Sequence, residues 1–322
     1  MKKLLRRLTY ILFLGIVAFV LPLGCNRNSY HNATSLTPPA KDCRVIEHTM
    51  GETCVPKNPK RLVTISQVTL GSTLVLGVKP IGSTFDGWQD NLPDYLKNKA
   101  EGIQKIGIQY EPNLESILRL KPDLILGWEN VEPIYPRLSQ ISPTALGKWK
   151  GSLSWREHFN FVAEALGKKE VAEQAWNHYY QRIEELKIAL GNQYKDKTIS
   201  VIHIYGWDIM STAKNSFIGS ILNDVGLQRP KAQNVITPSG LTKNISEEKL
   251  EELDADILFV TTFNDSDKAN FEQLQQKPLW KRLKAFQQGH IYFVDGLSWV
   301  GSNLIAADAV IDDLFKYLVN TP

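Results

Sequence analysis

Seven aromatic residues of this 322-residue chain stand at the ends of short apolar runs that read as strands. Trp88 follows IGSTFDG, Trp128 follows DLILG, Trp149 follows TALGK, and Trp299 follows YFVDGLS. Tyr205 and Trp207 close VIHIYGW, and Phe263 closes ILFVTTF; Tyr110 extends the set. In open α/β sheets ligands bind beyond the carboxyl ends of the strands. Rings gathered there would wall a cleft. Rigid aromatic walls suit a bulky, partly apolar organic ligand, held by contact and a few hydrogen bonds. The chemistry implied is gripping, not bond-making.

Catalytic patterns are absent from the sequence. No G-x-G-x-x-G, Walker loop or G-x-S-x-G elbow follows a strand. The six histidines, at 31, 48, 158, 178, 203 and 290, are dispersed and form no H-E-x-x-H. His203 and His290 read as structural residues of strands, and no metal site is expected. A two-lobed α/β enzyme, chelatase- or hydrolase-like, is the alternative from a different class. Within the binding class, Tyr205 or His203 as an axial ligand would make a haem carrier, and cobalamin is a further cargo. The loops after the strands carry Asp86, Asp90, Glu129, Asp208, Asp265 and Asp267, with Lys148 and Lys150 the main cations. That balance favours a neutral or weakly charged ligand over a polyanion.

The elements that must position these rings repeat. RLVTIS, L-G-V, NLESILRLKPDLIL and a strand ending near Trp149 come in order. TISVIH, V-G-L, SEEKLEELDADILF and a strand ending near Trp299 come again in the same order. Aligning Asp123 with Asp256 pairs Glu115 with Glu248, Ile117 with Leu250 and Leu120 with Leu253. Between the copies, residues 168–190 place Val171, Ala175, Tyr179, Ile183, Leu186 and Leu190 on one helical stripe, with charged residues opposite and Gly191 as a stop. Such a helix is about 33 Å long. The expectation is an α/β fold of two similar Rossmann-like lobes with mainly parallel sheets, joined by one long α-helix.

Residues 1–24 combine a basic start with an apolar run and precede Cys25, the pattern of a secretory leader. An uncleaved membrane helix is the alternative, since about 17 apolar residues is the lower limit for spanning. Without Lys2, Lys3, Arg6 and Arg7, the balance of 37 Lys and Arg against 34 Asp and Glu becomes about −1. The basic charge therefore belongs to the leader, and no nucleic-acid surface is implied. Residues 25–42 are a polar, Pro-containing tether. Cys43 and Cys54 bracket a hairpin pattern, and in an exported chain such a pair is expected to bond. The remaining divisions are 43–166 for the first lobe with its leading hairpin, 167–191 for the connecting helix and 192–322 for the second lobe.

EHTMGETCVPKNPKRLVTI, L-G-V-K-P-I-G, IGIQYEPNLESILRLKPDLIL, ISEEKLEELDADILF and WVGSNLIAADAVIDDLFKYLV together span nearly all of the chain after residue 43. On these motifs it resembles a class III periplasmic solute-binding protein of an ABC importer, in the iron–siderophore branch that takes ferric citrate or ferric hydroxamates, and of cyanobacterial type. The leader resembles a bacterial lipoprotein signal with Cys25 lipidated, although Pro22 stands where that box has Leu. The resemblance implies a monomer, no cofactor beyond a ferric siderophore as cargo, and delivery to an ABC permease dimer in the inner membrane. Matching glutamates on the two lobes, here Glu115 and Glu248, would pair with permease arginines. With the charge balance above, a hydroxamate-type chelate is expected. Cys25→Ser is expected to release or mislocalise the protein without altering ligand affinity. Fractionation and mass spectrometry check this, and an uncleaved wild-type chain without lipid would contradict it.

Overall fold

A computed structural model describes residues 42–85, 92–242 and 244–320. Cys25, Trp88, Asp86 and Asp90 lie outside the described residues. Strands β1 (Cys43–His48) and β2 (Gly51–Pro56) form an antiparallel hairpin whose ends are joined by the Cys43–Cys54 disulfide, with Cα atoms 5.5 Å apart. The hairpin covers the edge of the first sheet. Thr53 Oγ1 donates to the carbonyl of Thr144, and Thr49 donates through both N–H and hydroxyl to that of Leu146. An edge so covered cannot recruit another chain.

The first sheet contains β3 (Leu62–Ile65), β4 (Gly82–Phe85), β5 (Gln104–Ile108), β6 (Glu111–Pro112), β7 (Leu124–Trp128) and β8 (Thr144–Gly147). Their spatial order is β6-β5-β4-β3-β7-β8, and all but β6 are parallel. The second sheet contains β9 (Ile199–Tyr205), β10 (Asp208–Ser211), β11 (Ile257–Thr262) and β12 (Ile291–Asp295), in the order β10-β9-β11-β12. Only β10 is antiparallel there. All four residues of β3 and all five of β7 are buried, the composition of strands covered on both faces.

Three strands, β5, β6 and β10, escape the sequence reading. β5 and β6 read as a loop because Gln104 and Lys105 are polar and a glycine, Gly107, follows; in the structure that glycine has φ 105°. Gly107 is required: a Cβ there would lie 2.6 Å from the Glu111 carbonyl, where the chain folds back into β6. β10 is hidden behind a two-residue reversal at Gly206 and Trp207, which Gly206 permits with φ 60°. The helix expected from Ser246 is instead a 3-10 helix, Glu247–Leu253, interrupted by non-helical torsions at Lys249.

The helix Lys169–Leu190 joins the lobes, burying Ala172, Tyr179, Ile183, Leu186 and Leu190. Its core continues in both directions. Leu62, Leu124 and Leu126 of the first sheet, the helices Trp155–Leu166, Phe217–Val225 and Leu304–Leu314, and Ile199, Val201 and Phe259 of the second sheet form one apolar cluster. Each sheet buries its other face in a cluster of its own. Across the helices, Arg156 Nη2 donates to Asp224 Oδ2 at 2.6 Å, and Tyr179 Oη donates to the same oxygen at 2.7 Å. The Arg156 guanidinium lies 4.4 Å from the Trp155 ring. Burial, then the Asp224 carboxylate, push the Tyr179 phenol far above its ordinary value, so it stays a donor. Elsewhere Gly71 makes room for Asn303, which caps Leu304–Leu314 and donates to Tyr95 Oη.

Two histidines are wholly interior. His158 Nε2 meets Thr69 Oγ1 at 2.9 Å, and burial lowers its pKa to about 3. His203 Nδ1 meets Thr261 Oγ1, and burial with the Arg229 charge lowers its pKa to about 4. Above pH 6.5 both imidazoles are neutral in folded and unfolded chains alike, and full stability is present. As pH falls below 6.5 the unfolded chain takes protons that the folded chain refuses. Each histidine then removes about 1.4 kcal/mol per pH unit until its folded pKa is reached. Urea unfolding between pH 7.5 and 4.5 is expected to show this decline, with a shallower slope in His158→Gln; a flat wild-type profile would contradict it.

Candidate functional site

The strand ends of the second lobe build one wall. Tyr205 closes β9, and Phe263 follows β11 on the neighbouring strand. Their rings stack with centroids 4.6 Å apart and planes 15° from parallel. A single carboxylate sets this geometry. Asp267 Oδ1 accepts from the Gly206 N–H at 2.9 Å, and Oδ2 accepts from the Phe263 N–H at 3.1 Å. Asp267 is 4% exposed and sits in the first turn of the helix Asp265–Leu274, capped by Asn264. Gly296 lets the Phe263 ring lie on its backbone, since a Cβ there would be 2.7 Å from it. Trp207, at the hairpin tip, is 59% exposed.

In the first lobe Trp128 ends β7 and Trp149 follows β8, with ring centroids 4.2 Å apart. His158 meets Trp149 edge-on at 5.5 Å, and Glu129 Oε1 accepts from the Trp149 N–H. Trp128 is buried within this cluster, whereas Tyr110, after β5, is 70% exposed. Leu92, Pro93 and Asp94 meet the second lobe's strand ends across a groove of about 390 Å³, whose far side includes Phe263, Asp265 and Lys268.

Trp299 does not belong to this set. Its ring is wholly buried against Phe259, and its Nε1 donates to Asp313 Oδ2 at 2.8 Å. The helix Gly296–Trp299 turns it inward, away from the end of β12. The charge balance also changes. Asp267 and Glu129 are engaged with backbone N–H groups, and Lys268 stands on the groove with Nζ 5.3 Å from the Phe293 ring. Two of the acidic residues after the strands are thus engaged, while Asp94, Asp265 and Asp295 line the groove together with Lys268. The spacing Asn264-x-x-Asp267, that of a helix cap, was the available signal for Asp267. Glu115 lies in the first turn of Leu114–Leu120, exposed and paired with Arg119 at 2.7 Å. Glu248 is exposed in the first turn of Glu247–Leu253. Among the described residues no three His, Cys, Asp or Glu converge on a metal position, and no helix is long and apolar enough to cross a membrane.

Trp299→Ala is expected to destabilise the protein by about 3–5 kcal/mol, the usual cost of emptying a core site of this size. Trp207→Ala is expected to stay within about 0.5 kcal/mol of the parent. Equilibrium unfolding of the two variants checks the contrast; equal losses would contradict it.

The model of the periplasmic binding protein family matches residues 62–296. The Bacillus subtilis (strain 168) protein named Probable siderophore-binding lipoprotein YfiY is 31% identical over 322 residues, covering 97% of this chain and 98% of that one. The structure is similar to Staphylococcus aureus SirA complexed with staphyloferrin B, with TM-score 0.76 and 28% identity over 85% of this chain and 98% of that one. It is also similar to Bacillus subtilis FeuA complexed with ferri-bacillibactin, with TM-score 0.71 and 26% identity over 86% and 99% of the two chains. The match to the family model covers most of the chain, and with it both mainly parallel sheets: the chain belongs to the periplasmic binding protein family.

Proposed function

We propose that the chain is an extracytoplasmic solute-binding protein that captures a ferric siderophore between its lobes and delivers it to an ABC permease for iron uptake. The observation that carries this reading is the Tyr205–Phe263 stack, held at two strand ends by Asp267 beside a groove that the first lobe completes. Preorganised rings lower the entropy cost of gripping a bulky chelate. The names of SirA's and FeuA's bound ligands, and that of YfiY, support an iron chelate as the cargo. Tyr205, Trp207 and Phe263 are the contacts from the second lobe, and Trp128 and Trp149 those from the first. Trp88, outside the described residues, completes the set.

The protein works as a monomer held to a membrane by lipid on Cys25, with residues 25–42 as the tether. Glu115 and Glu248 are its docking charges. One acidic knob on each of two similar lobes suits a two-subunit partner. The Arg119 pairing of Glu115 is an exposed i,i+4 contact worth about 0.3–0.5 kcal/mol, so it yields readily to a permease arginine.

Intrinsic tryptophan fluorescence during titration with ferric citrate, ferrioxamine B and a ferric tris-catecholate tests the cargo, with the iron-free compounds as controls. Saturable quenching by a ferric chelate without turnover is expected; no response to any of them, or chemical conversion, would overturn the reading. The double variant Glu115→Ala with Glu248→Ala is expected to keep chelate binding and lose uptake. Normal uptake would remove the docking role, and lost binding would move these residues into the cleft or the fold.

A further inference from the structure

The first sheet changes its direction of winding at β3. From there the chain moves outward through β4 to β5, then returns to the other side for β7 and β8. Connections leaving two adjacent strands in opposite directions open a crevice between their carboxyl ends, here those of β3 and β7. Ile65 pairs with Gly127, so Gln67 on one side and residues 128–130 on the other flank that crevice. Trp128 shares the face of β7 with Leu124 and Leu126, the face that enters the core common to both lobes.

Four polar atoms at this place are withheld from solvent and have no hydrogen-bond partner: Gln67 Nε2, Trp128 Nε1, and both Nδ2 and Oδ1 of Asn130. Gln67 and Trp128 are only 7% and 4% exposed. Buried polar atoms are nearly always paired, and an unpaired one is costly. Side chains whose atoms remain unpaired on both sides of a switch point are suited to a partner brought in from outside. Their chemistry is specific. Gln67 and Trp128 offer N–H donors, Asn130 offers a donor and an acceptor, and none carries charge.

We propose that Gln67, Trp128 and Asn130 form a hydrogen-bonding subsite for an amide group in the organic backbone of the ligand. The amide oxygen accepts from Gln67 Nε2 and Trp128 Nε1, and the amide N–H donates to Asn130 Oδ1. This rests on the siderophore reading above and narrows it to chelators with amide-linked backbones. Such a subsite reads the ligand's scaffold, leaving the charged iron centre to the aromatic walls.

The test compares the wild-type protein with Gln67→Leu and Asn130→Leu, using ferrioxamine B, which has backbone amides, and ferric citrate, which has none. The wild type is expected to bind ferrioxamine B more tightly. Each variant should weaken that binding about tenfold, the value of one net hydrogen bond, and leave ferric citrate affinity unchanged. Neither should melt below the wild type, because an unpaired group is being removed. Should a leucine variant fail to fold, Gln67→Met removes the amide at nearly constant length and carries the same comparison. Unchanged ferrioxamine B affinity in the variants, equal losses for both chelates, or a wild type preferring ferric citrate would overturn the subsite. A wild type that binds neither chelate nor a ferric tris-catecholate would overturn the siderophore reading, and the subsite with it.

Discussion

A parallel strand has no solvent face, so each sheet of this protein must be covered on both sides, and the two sheets meet that demand partly with the same helices. Trp155–Leu166, Lys169–Leu190, Phe217–Val225 and Leu304–Leu314 bury residues in a core that reaches a face of each sheet. Separating the lobes would therefore expose apolar surface that neither sheet could cover alone. The Arg156–Asp224–Tyr179 contact adds direction to this burial. It links Trp155–Leu166 to the connecting helix and to Phe217–Val225 through one shared oxygen. Both charged side chains are about a quarter exposed, so the pair contributes less as energy than as orientation. The expected consequence is a stiff joint: the groove can adjust by side-chain movement and slight rotation, while wide opening is opposed by the core beneath it.

The charges near the strand ends serve this rigidity. Asp267 accepts from two backbone N–H groups on neighbouring strand ends, and Glu129 accepts from the backbone of Trp149. A carboxylate in such a role locates the aromatic ring beside it and loses most of its reach toward a ligand. The cleft's charge consequently cannot be summed from the residues that follow each strand. Lys268 shows the other half of the same problem: its ammonium lies over the Phe293 ring, and its position on the groove depends on the turn taken by the helix Asp265–Leu274.

Periodic burial was legible in the sequence, and so was the doubled landmark. Of the stripe Val171, Ala175, Tyr179, Ile183, Leu186 and Leu190, the last four are buried as the spacing predicts, and the first two are partly buried against the same core. The repeated aspartates have a common cause. Asp123 accepts from the N–H groups of Lys60 and Arg61 just before β3, and Asp256 accepts from Thr198 N–H just before β9. Burial alone would raise the Asp256 carboxyl, but hydrogen bonds from Lys284 and Thr198 hold it below its ordinary value. What escaped depended on direction. Trp299 and Trp207 both follow strands, yet a four-residue helix turns one into the core and a two-residue turn sends the other to solvent. Composition describes the rings equally; only the torsions after each strand separate them.

The same aspartates bear on the two outer glutamates. Glu115 precedes Asp123 by the same number of residues as Glu248 precedes Asp256. Each aspartate ties its segment to the start of the first parallel strand of its own lobe, so each glutamate is placed relative to that strand by one short, anchored connection. The intervening turns differ: Leu114–Leu120 is α-helical, and Glu247–Leu253 is 3-10 with a break at Lys249. In both, the glutamate lies in the first turn, where backbone N–H groups favour a negative side chain. Exact equivalence of the two helices is thus unnecessary for a paired acidic surface. An anchored aspartate and a carboxylate in the first turn are enough to put one negative group on each lobe, while the sequence between them drifts with the packing of its own sheet.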